Sequence, residues 1–392
     1  MKLKMIKDDI FWVGAVDWDR RLFDALIPLP DGTSYNAYLI YGSEKTALLD
    51  TVDPSMTAVL MSHLEDVKNI DFIISHHAEQ DHSGALPHVL DKYKSAKVVA
   101  SPKGKPMLVE HLHIPEERII TVNDGETLSL GNKTLEFIHA PWVHWPETMF
   151  TYLREDKMLF TCDLFGSHFA TSDIFYSDYW HVCDAAKRYY AEVMMPFRTT
   201  IQKHLEKIKK YDISMIAPSH GPVHKDPECI VGSHQEWVSD RVSNTVVIPY
   251  VTMHGSTQLM VDYLAEILAD NGVKVEKFNL AVADTGKLAM SLVDAATLVI
   301  GSPTVLSGAH PVVVSAVFLA NALKPKLKFA SIIGSYGWGG RMVEQIKGLM
   351  SNLKLEMLEP VIIKGLPKDE DYKALDRLAN EIVDKHKAAI KN

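Results

Sequence analysis

Hydrophobic positions follow two different rhythms along the chain. In the first part, short runs rich in β-branched and aromatic residues alternate with turns and with amphipathic stretches. The runs predict strands over 11–17, 34–42, 44–51, 71–77, 96–101, 127–140 and 149–163. The stretches predict helices over 54–69, 83–93, 103–112 and 179–210. This mixture is typical of sheets covered by helices, an α/β class.

A regular strand–helix alternation begins near residue 245. Its apolar runs predict strands over 245–252, 273–280, 296–304, 328–337 and 356–366. The intervening stretches predict helices over 256–271, 285–295, 310–323, 340–354 and 368–389. Five successive βα units are what a doubly wound parallel sheet requires. The polar stretch "SDRVSNT" before the first unit marks a boundary, so we expect domains over 1–243 and 244–392.

Composition narrows the classes of function. The formal net charge of −9 is spread without long single-sign runs, which argues against nucleic acid or an anionic membrane as a partner. The N-terminus does not have the pattern of a signal or transit peptide, and no apolar stretch is long enough to span a bilayer. The three cysteines form no CxxC pair, which excludes a rubredoxin-type or ferredoxin-type cluster in this chain and fits a reducing cytoplasm.

The stretch "HHAEQDHSGALP" (76–87) concentrates imidazoles and carboxylates at the end of a predicted strand. A turn there directs His77, Glu79, Asp81 and His82 to a common centre, with a helix beginning near Ser83. The competing interpretation is a solvated polar loop. Side chains of these types at this density are typical of a metal site.

The motif resembles the "HxHxDH" of the metallo-β-lactamase fold, with Glu79 in place of the second His. The resemblance implies three further ligands, which "APWVHWPETM", "LFTCDLFGSH" and "MIAPSHGPV" supply as His144, Asp163 and His220. Four imidazoles and three carboxylates without a thiolate suit iron or manganese at least as well as zinc. We expect Asp163 to bridge two metals. One metal then takes His77, Glu79 and His144, and the other takes Asp81, His82 and His220.

Several other histidines are weighed against the proposed ligands. His168 follows Asp163 closely and is a candidate for the pocket around the metals. His224 is a rival to His220. His76 is expected to point to the opposite side of its strand, and ordinary surface or core roles are expected for His88, His111 and His113.

Three loops of the second part predict a flavin site. "YVTMHGSTQLM" (250–260) joins a strand to a helix, and its small polar residues suit a phosphate at a helix N-terminus, although alone they indicate only a cap. It is neither a P-loop nor a GxGxxG motif. In a 2-1-3-4-5 sheet it meets 301–311 and 334–341 at the switch point. The expected cofactor-binding residues are Thr252, Met253, His254, Gly255, Ser256, Thr257, Ser302, Pro303, Thr304, Leu306, Ser307, Gly308, Ser335, Tyr336, Gly337, Trp338, Gly339 and Gly340.

These three loops resemble flavodoxin, with FMN phosphate on the first loop and the isoalloxazine between the others. A flavodoxin-like domain without cofactor is the alternative. A metallo-β-lactamase-like αββα sandwich followed by such a domain resembles the flavodiiron protein family. The motifs "SYNAYLI", "HWPETM" and "GSPT…GSYGWGG" match that family's pattern over essentially the whole chain, although the spacing from Asp163 to His220 is a few residues shorter.

The resemblance implies FMN and two iron ions, reduction of O2 to water and/or NO to N2O, and a cytoplasmic enzyme. It also implies an external donor, either rubredoxin or reduced coenzyme F420, and a head-to-tail homodimer or a tetramer. Two alternatives from other classes remain. One is a zinc hydrolase of the metallo-β-lactamase class with an electron-transfer appendage, and the other is an electron carrier with a structural metal site.

Overall fold

The computed structural model describes residues 3–176 and 178–390. The chain divides into two compact units after Val238. Each unit has its own sheets and its own core, as expected for a chain of this length.

The first unit contains two main sheets. A seven-stranded sheet has the order β1-β2-β7-β8-β9-β10-β11 and a five-stranded sheet has the order β12-β13-β14-β15-β16, beside two small ribbons. The strands are β1 Lys4–Lys7, β2 Ile10–Trp12, β3 Ala15–Asp17, β4 Leu22–Phe23, β5 Ile27–Pro28, β6 Thr33–Tyr35, β7 Tyr38–Tyr41, β8 Thr46–Leu49, β9 Phe72–Ile74, β10 Lys97–Ala100, β11 Ile119–Thr121, β12 Thr127–Ser129, β13 Thr134–His139, β14 Met149–Leu153, β15 Met158–Cys162 and β16 Met215–Pro218. The helices are α1 Thr57–His63, α2 Gln80–Ser83, α3 Leu86–Lys92, α4 Gly104–Leu112, α5 Tyr179–Tyr189, α6 Arg198–Ile208 and α7 Pro227–Val238.

Alternate side chains of the central strands enter two different cores. Leu48 and Ile73 pack in the layer that includes residues of α1 and α3, whereas Leu49 and Ile74 pack in the layer that includes residues of both sheets. Strands covered on both faces read as continuous apolar runs, and "DFIIS" is such a run. The two stacked sheets with helices outside confirm the predicted αββα sandwich.

The second unit is a parallel sheet of order β18-β17-β19-β21-β22, with β23 also paired to β21 and β20 antiparallel to β19. In chain order this is 2-1-3-4-5, which confirms the predicted doubly wound topology. The strands are β17 Ser243–Tyr250, β18 Lys274–Asn279, β19 Ala295–Val305, β20 Gly308–Ala309, β21 Phe329–Tyr336, β22 Glu356–Met357 and β23 Val361–Lys364. The helices are α8 Ser256–Asp270, α9 Thr285–Leu292, α10 Pro311–Leu323, α11 Met342–Leu349 and α12 Asp369–Ala389.

Several predicted elements are interrupted. The strands predicted over 11–17 and 34–42 each divide into two short strands, β2 with β3 and β6 with β7. The helix predicted over 179–210 consists of α5, a π-helical turn Tyr190–Met194, a 3-10 turn Met195–Phe197 and α6. Proline at position 196 lacks the N–H that a continuous helix would use. The last predicted strand divides into β22 and β23 on either side of Pro360.

Candidate di-metal and flavin sites

The first four candidate ligands follow β9 at its C-terminal end. Glu79 has extended backbone angles, φ −61° and ψ 143°, and is the N-cap of α2. Asp81 and His82 therefore lie in a one-turn helix, whereas His77 and Glu79 lie in extended chain before it. The expectation of a simple turn, with a helix starting near Ser83, is wrong: the helical turn contains Asp81 and His82 themselves and separates the four side chains into two pairs.

The other three candidates also follow strands. His144 lies in the loop between β13 and β14, Asp163 directly follows β15, and His220 lies two residues beyond β16. Strands β14, β15 and β16 are neighbours in the same sheet, and their loops bring these residues to the β9 end. All seven predicted residues are thereby brought together.

One half of the cluster consists of His77, Glu79 and His144. The Nε2 atoms of His77 and His144 lie 3.0 and 3.1 Å from Glu79 Oε2. The same two nitrogens lie 3.7 and 3.4 Å from Asp163 Oδ2. The four ligand atoms are mutually within 4.8 Å, the spacing that donors around a single ion have.

The other half consists of Asp81, His82 and His220. His82 Nε2 lies 3.3 Å from Asp81 Oδ1, and His220 Nε2 lies 3.1 Å from Asp81 Oδ2. Asp163 Oδ1 lies 3.0 and 3.4 Å from the same two nitrogens. Asp163 therefore presents one oxygen to each half, which is the arrangement of a bridging carboxylate.

Burial makes the cluster dependent on compensating positive charge. Asp81, His82 and Asp163 are at most 4% exposed. Both Asp81 oxygens, His82 Nε2 and Asp163 Oδ2 are buried without a hydrogen-bond partner among the described residues. Carboxylates in such surroundings are either paired or bound to metal. The donor set of imidazoles and carboxylates around two centres thus fits a pair of cations.

The carboxylates of the cluster raise the pKa of the neighbouring imidazoles. Burial opposes the charge of His144, but Asp163 and Glu79 outweigh it and raise its pKa to about 9. Burial likewise opposes the charge of His220, while Asp163 and Asp81 raise its pKa to about 10. Without metal the cluster therefore balances its negative charge with imidazolium groups.

Cys162 lies beside the cluster and was not predicted there. Its sulfur groups with His82 and Asp163 within 4.8 Å. Burial, followed by the charge of Asp163, raises the pKa of the Cys162 thiol well above its usual value. The thiol form is a poor ligand, so the cluster remains an oxygen and nitrogen site.

Residues outside the cluster fix the ligand atoms. His77 Nδ1 donates to Glu147 Oε1 at 2.7 Å, and the backbone N–H of Ala78 donates to the same oxygen at 2.9 Å. His220 Nδ1 donates to the carbonyl of Ser34 at 2.7 Å. Because Nδ1 carries a hydrogen in both rings, Nε2 is the nitrogen that binds a metal once its own proton is lost.

Tyr189 completes this outer layer by donating its hydroxyl hydrogen to Asp163 Oδ1 at 2.9 Å. Sequence reasoning missed Tyr189, because nothing in a helical pattern distinguishes it from a core tyrosine. It also missed the role of Glu147, although "HWPETM" had been noted as a motif.

The other histidines named in the sequence analysis are not members of the seven-residue cluster. His76 binds Asp50 and Thr151 through its two nitrogens at 2.7 Å each, outside the cluster as predicted. His224 Nε2 bonds the Phe165 carbonyl at 3.0 Å, and burial lowers its pKa to about 4. The rival of His220 is therefore a neutral structural residue. His88, His111 and His113 are exposed, and His168 borders the cluster.

The second unit has a cavity of about 450 Å³ at the C-terminal ends of its strands. All three predicted loops contribute to it. Its lining residues are Thr252, Met253, His254, Ser256, Thr257, Pro303, Thr304, Ser335, Tyr336, Gly337, Trp338, Gly365 and Leu366. Gly365 and Leu366 follow β23 and were not predicted, because the fifth loop carries no phosphate or aromatic signal.

Seven predicted flavin residues do not line this cavity. They are Gly255, Ser302, Leu306, Ser307, Gly308, Gly339 and Gly340. Ser302 is buried and accepts the backbone N–H of His310, whereas the Ser307 carbonyl accepts the N–H of Arg341 next to Gly340. Gly255 starts α8 with φ 91°, a conformation that glycine tolerates best. These residues shape the loops around the cavity.

Known proteins resemble the chain over its full length. The model of the ODP family beta lactamase matches residues 33–221. A nitric oxide reductase of Moorella thermoacetica is 36% identical, with 96% of this chain and 97% of the relative covered. A coenzyme F420H(2) oxidase of Methanothermobacter marburgensis is 31% identical, with 97% and 98% covered.

Solved structures agree with these sequence relatives. The rubredoxin oxygen:oxidoreductase of Desulfovibrio gigas superposes with a TM-score of 0.96, 30% identity and full coverage of both chains. The flavodiiron protein of Giardia intestinalis superposes with a TM-score of 0.91 and 25% identity, covering 100% of this chain and 98% of that one. Among the described helices, none is long and apolar enough to cross a membrane.

Proposed function

The chain belongs to the flavodiiron protein family, and on that premise we propose that its seven clustered residues hold the two iron ions of a di-iron centre. Members of the family are oxidoreductases that carry FMN and a di-iron site and act on O2 or NO. In our assignment one iron takes His77, Glu79 and His144, the other takes Asp81, His82 and His220, and Asp163 bridges them. Residues 1–243 form the iron domain and 244–392 the FMN domain.

The observation that carries this proposal is the position of Asp163. Its two oxygens face different halves of the cluster, each at 3.0 to 3.7 Å from two imidazole nitrogens. A residue that served a single structural metal would not need this arrangement, because such sites are usually closed by four ligands. The bridging position accounts for two metals in one buried pocket.

The protein groups around the centre act by positioning. Bound iron would supply a coordination site for a diatomic gas and one electron from each ion. Glu147 and the Ser34 carbonyl hold the rings of His77 and His220 with Nε2 directed at the metals. Tyr189 holds the bridging carboxylate through Oδ1. Since every one of these groups is buried, the ligand atoms that they hold are prearranged.

The cavity of the second unit is our proposed FMN site. The start of α8 offers backbone N–H groups and the hydroxyls of Ser256 and Thr257 to the phosphate. Tyr336 and Trp338 line the same cavity and provide planar surfaces for the isoalloxazine. FMN held there would supply two electrons, obtained from a donor, for the irons. Reduction of O2 to two waters uses four electrons and four protons, and reduction of two NO to N2O and water uses two of each.

The proposal also covers the electron donor, the oligomeric state and the cellular location of the enzyme. An external donor is required, because the described residues contain no group of thiols that could hold an iron–sulfur cluster. The names of the relatives support rubredoxin or reduced coenzyme F420. We propose a cytoplasmic enzyme in a head-to-tail homodimer or a tetramer, so that the FMN of one subunit serves the irons of its partner.

A zinc hydrolase with an electron-transfer appendage is the second candidate. The fold of the first unit favours it, since the matched family model is named for a beta lactamase. Glu79 argues against it, because the hydrolases that share this motif have His at that position. A simple electron carrier is disfavoured by seven ligands around two centres.

The proposal is tested by mixing the fully reduced holoenzyme with O2 and, separately, with NO in a stopped-flow spectrometer. We expect rapid reoxidation of the flavin by at least one gas. The Asp81→Asn variant should retain FMN and lose this reoxidation. Unchanged gas reactivity in an Asp81→Asn protein that lacks iron would show that the flavin alone reacts, and the electron-carrier interpretation would replace ours.

A further inference from the structure

His168 lies against the proposed di-iron centre without being one of its ligands. It is 7% exposed, and its ring centroid lies 4.9 Å from that of His220 and 4.7 Å from that of Tyr189. The loop that carries it is fixed by the N–H of Ser167, which donates to the His220 carbonyl at 3.1 Å. The ring is thus held beside one ligand and beside the tyrosine that bonds the bridging carboxylate.

One nitrogen of His168 has a clear partner. Nδ1 lies 2.9 Å from Thr33 Oγ1, and the Thr33 hydroxyl lies 3.3 Å from the Ser34 carbonyl, to which it donates. A carbonyl can only accept, so the Thr33 hydrogen is directed at Ser34, and Thr33 accepts the Nδ1–H of His168. If Thr33 instead donated to Nδ1, the hydrogen of the ring would lie on Nε2, where it would be buried without an acceptor. Buried N–H groups without an acceptor are rarer in proteins than buried acceptors without a donor.

The second nitrogen has no partner. His168 Nε2 is buried and makes no hydrogen bond among the described residues. The ring packs against the rings of His220 and Tyr189. The ring therefore offers a free acceptor at the edge of the metal site.

We propose that His168 Nε2 accepts a hydrogen bond from water or hydroxide at the di-iron centre. The inference rests on the proposed function, in which water is a product. Ring and acceptor are set before any ligand arrives, because Thr33 fixes the tautomer and His220 and Tyr189 fix the ring. His168 therefore favours an oxygen ligand that carries a hydrogen, such as water or hydroxide, over a ligand without hydrogen. A histidine that only packed against its neighbours would show no such preference.

Azide is a suitable probe, since it carries no hydrogen and must displace water from the centre. We would titrate the oxidised, iron-loaded holoenzyme with azide and follow the charge-transfer absorption of the complex. In His168→Phe the displaced water is no longer held, so azide should bind roughly two- to tenfold more tightly, the range of one ordinary hydrogen bond. His168→Gln keeps an acceptor, and its azide dissociation constant should stay within about twofold of wild type.

Thr33→Val provides a second variant if His168→Phe folds poorly. It keeps the imidazole, removes the hydroxyl that fixes its tautomer, and should shift azide binding in the same direction. Unchanged or weaker azide binding in the iron-loaded variants would overturn the inference and leave the di-iron proposal intact. A wild-type protein that contains zinc and no iron would instead overturn the proposed function, and the inference with it.

Discussion

The metal cluster and the flavin cavity are built in opposite ways. The cluster consists of buried side chains, and Asp163 is 1% exposed. The cavity consists of loops at the ends of parallel strands, and Trp338, which lines it, is 94% exposed. Side-chain identity therefore decides what the first site binds, whereas backbone shape decides much of what the second binds. Substitutions should affect the two sites unequally, and the following predictions test that difference.

The largest effect is expected from Asp163→Asn. An amide cannot bring negative charge to both metals, so the affinity for iron should fall by more than about a hundredfold, beyond the effect of losing an outer contact. FMN content should remain that of the wild type. Elemental analysis and flavin absorbance of the same sample measure both. A variant that retains about two irons per chain would refute the bridging role.

Glu147→Gln should have a smaller effect on the same site. The carboxylate orients His77 through a 2.7 Å hydrogen bond, and loss of such an outer partner typically lowers metal affinity about 10- to 100-fold. Iron affinity can be measured by competition with a chelator. Glu126→Gln is the matched control, because Glu126 is exposed and contacts Asn123 rather than the cluster. Equal affinities for the two variants would contradict the positioning role.

Gly255→Ala tests the backbone character of the flavin cavity. An added Cβ would meet nothing within 4 Å, but φ 91° is strained for any residue with a side chain. The strain of about 1–2 kcal/mol should weaken FMN binding by roughly 5- to 30-fold without changing iron content. Gly348→Ala, in α11 with open space around it, should leave FMN affinity unchanged. Equal effects of the two substitutions would show that the loop shape is not critical.

A further prediction is a dependence of iron binding on pH. In the metal-free protein, carboxylates overcome burial and raise the pKa of His144 to about 9 and of His220 to about 10. Both rings are protonated at neutral pH and must lose their protons to bind metal, so apparent affinity should rise with pH up to these values. Each released proton contributes up to about tenfold per pH unit. Iron titrations in weakly buffered solution should acidify the medium; titrations without proton release would contradict this charge balance.

The same shifts predict the stability of the metal-free protein. Because the folded-state pKa of both rings is raised above the usual 6.5, their contribution to the free energy of unfolding is fully present below pH 6.5. It should be lost as pH rises through about 9 and 10. Thermal melts between pH 6 and 10 would show a falling midpoint for the metal-free protein. The iron-loaded protein should lack this alkaline decline.

The contrast between the two sites also explains what could be predicted from sequence. The first four ligands stand out in the sequence because metal chemistry restricts residue type. All four, His77, Glu79, Asp81 and His82, lie within six positions. The one-turn helix of Asp81 and His82 could not be predicted, since tertiary contacts override the local pattern in so short a segment.

Residues that act through one hydrogen bond leave weaker signals. Tyr189 lies in a helix where an aromatic residue normally indicates core packing, and only its 2.9 Å contact with Asp163 reveals its role. Gly365 and Leu366 reach the flavin cavity because β23 pairs with β21, which is a property of sheet order. The doubly wound parallel sheet was predictable from the βα rhythm, but the loop lengths that shape the cavity were not.

Metal content is the measurement that tests the central claim most directly. Protein purified without oxygen from iron-rich culture should contain about two irons per chain by elemental mass spectrometry. It should also contain about one FMN by absorbance. Zinc in place of iron, reproduced in iron-rich culture with FMN still bound, would contradict a di-iron centre and make the hydrolase the leading account of the first unit.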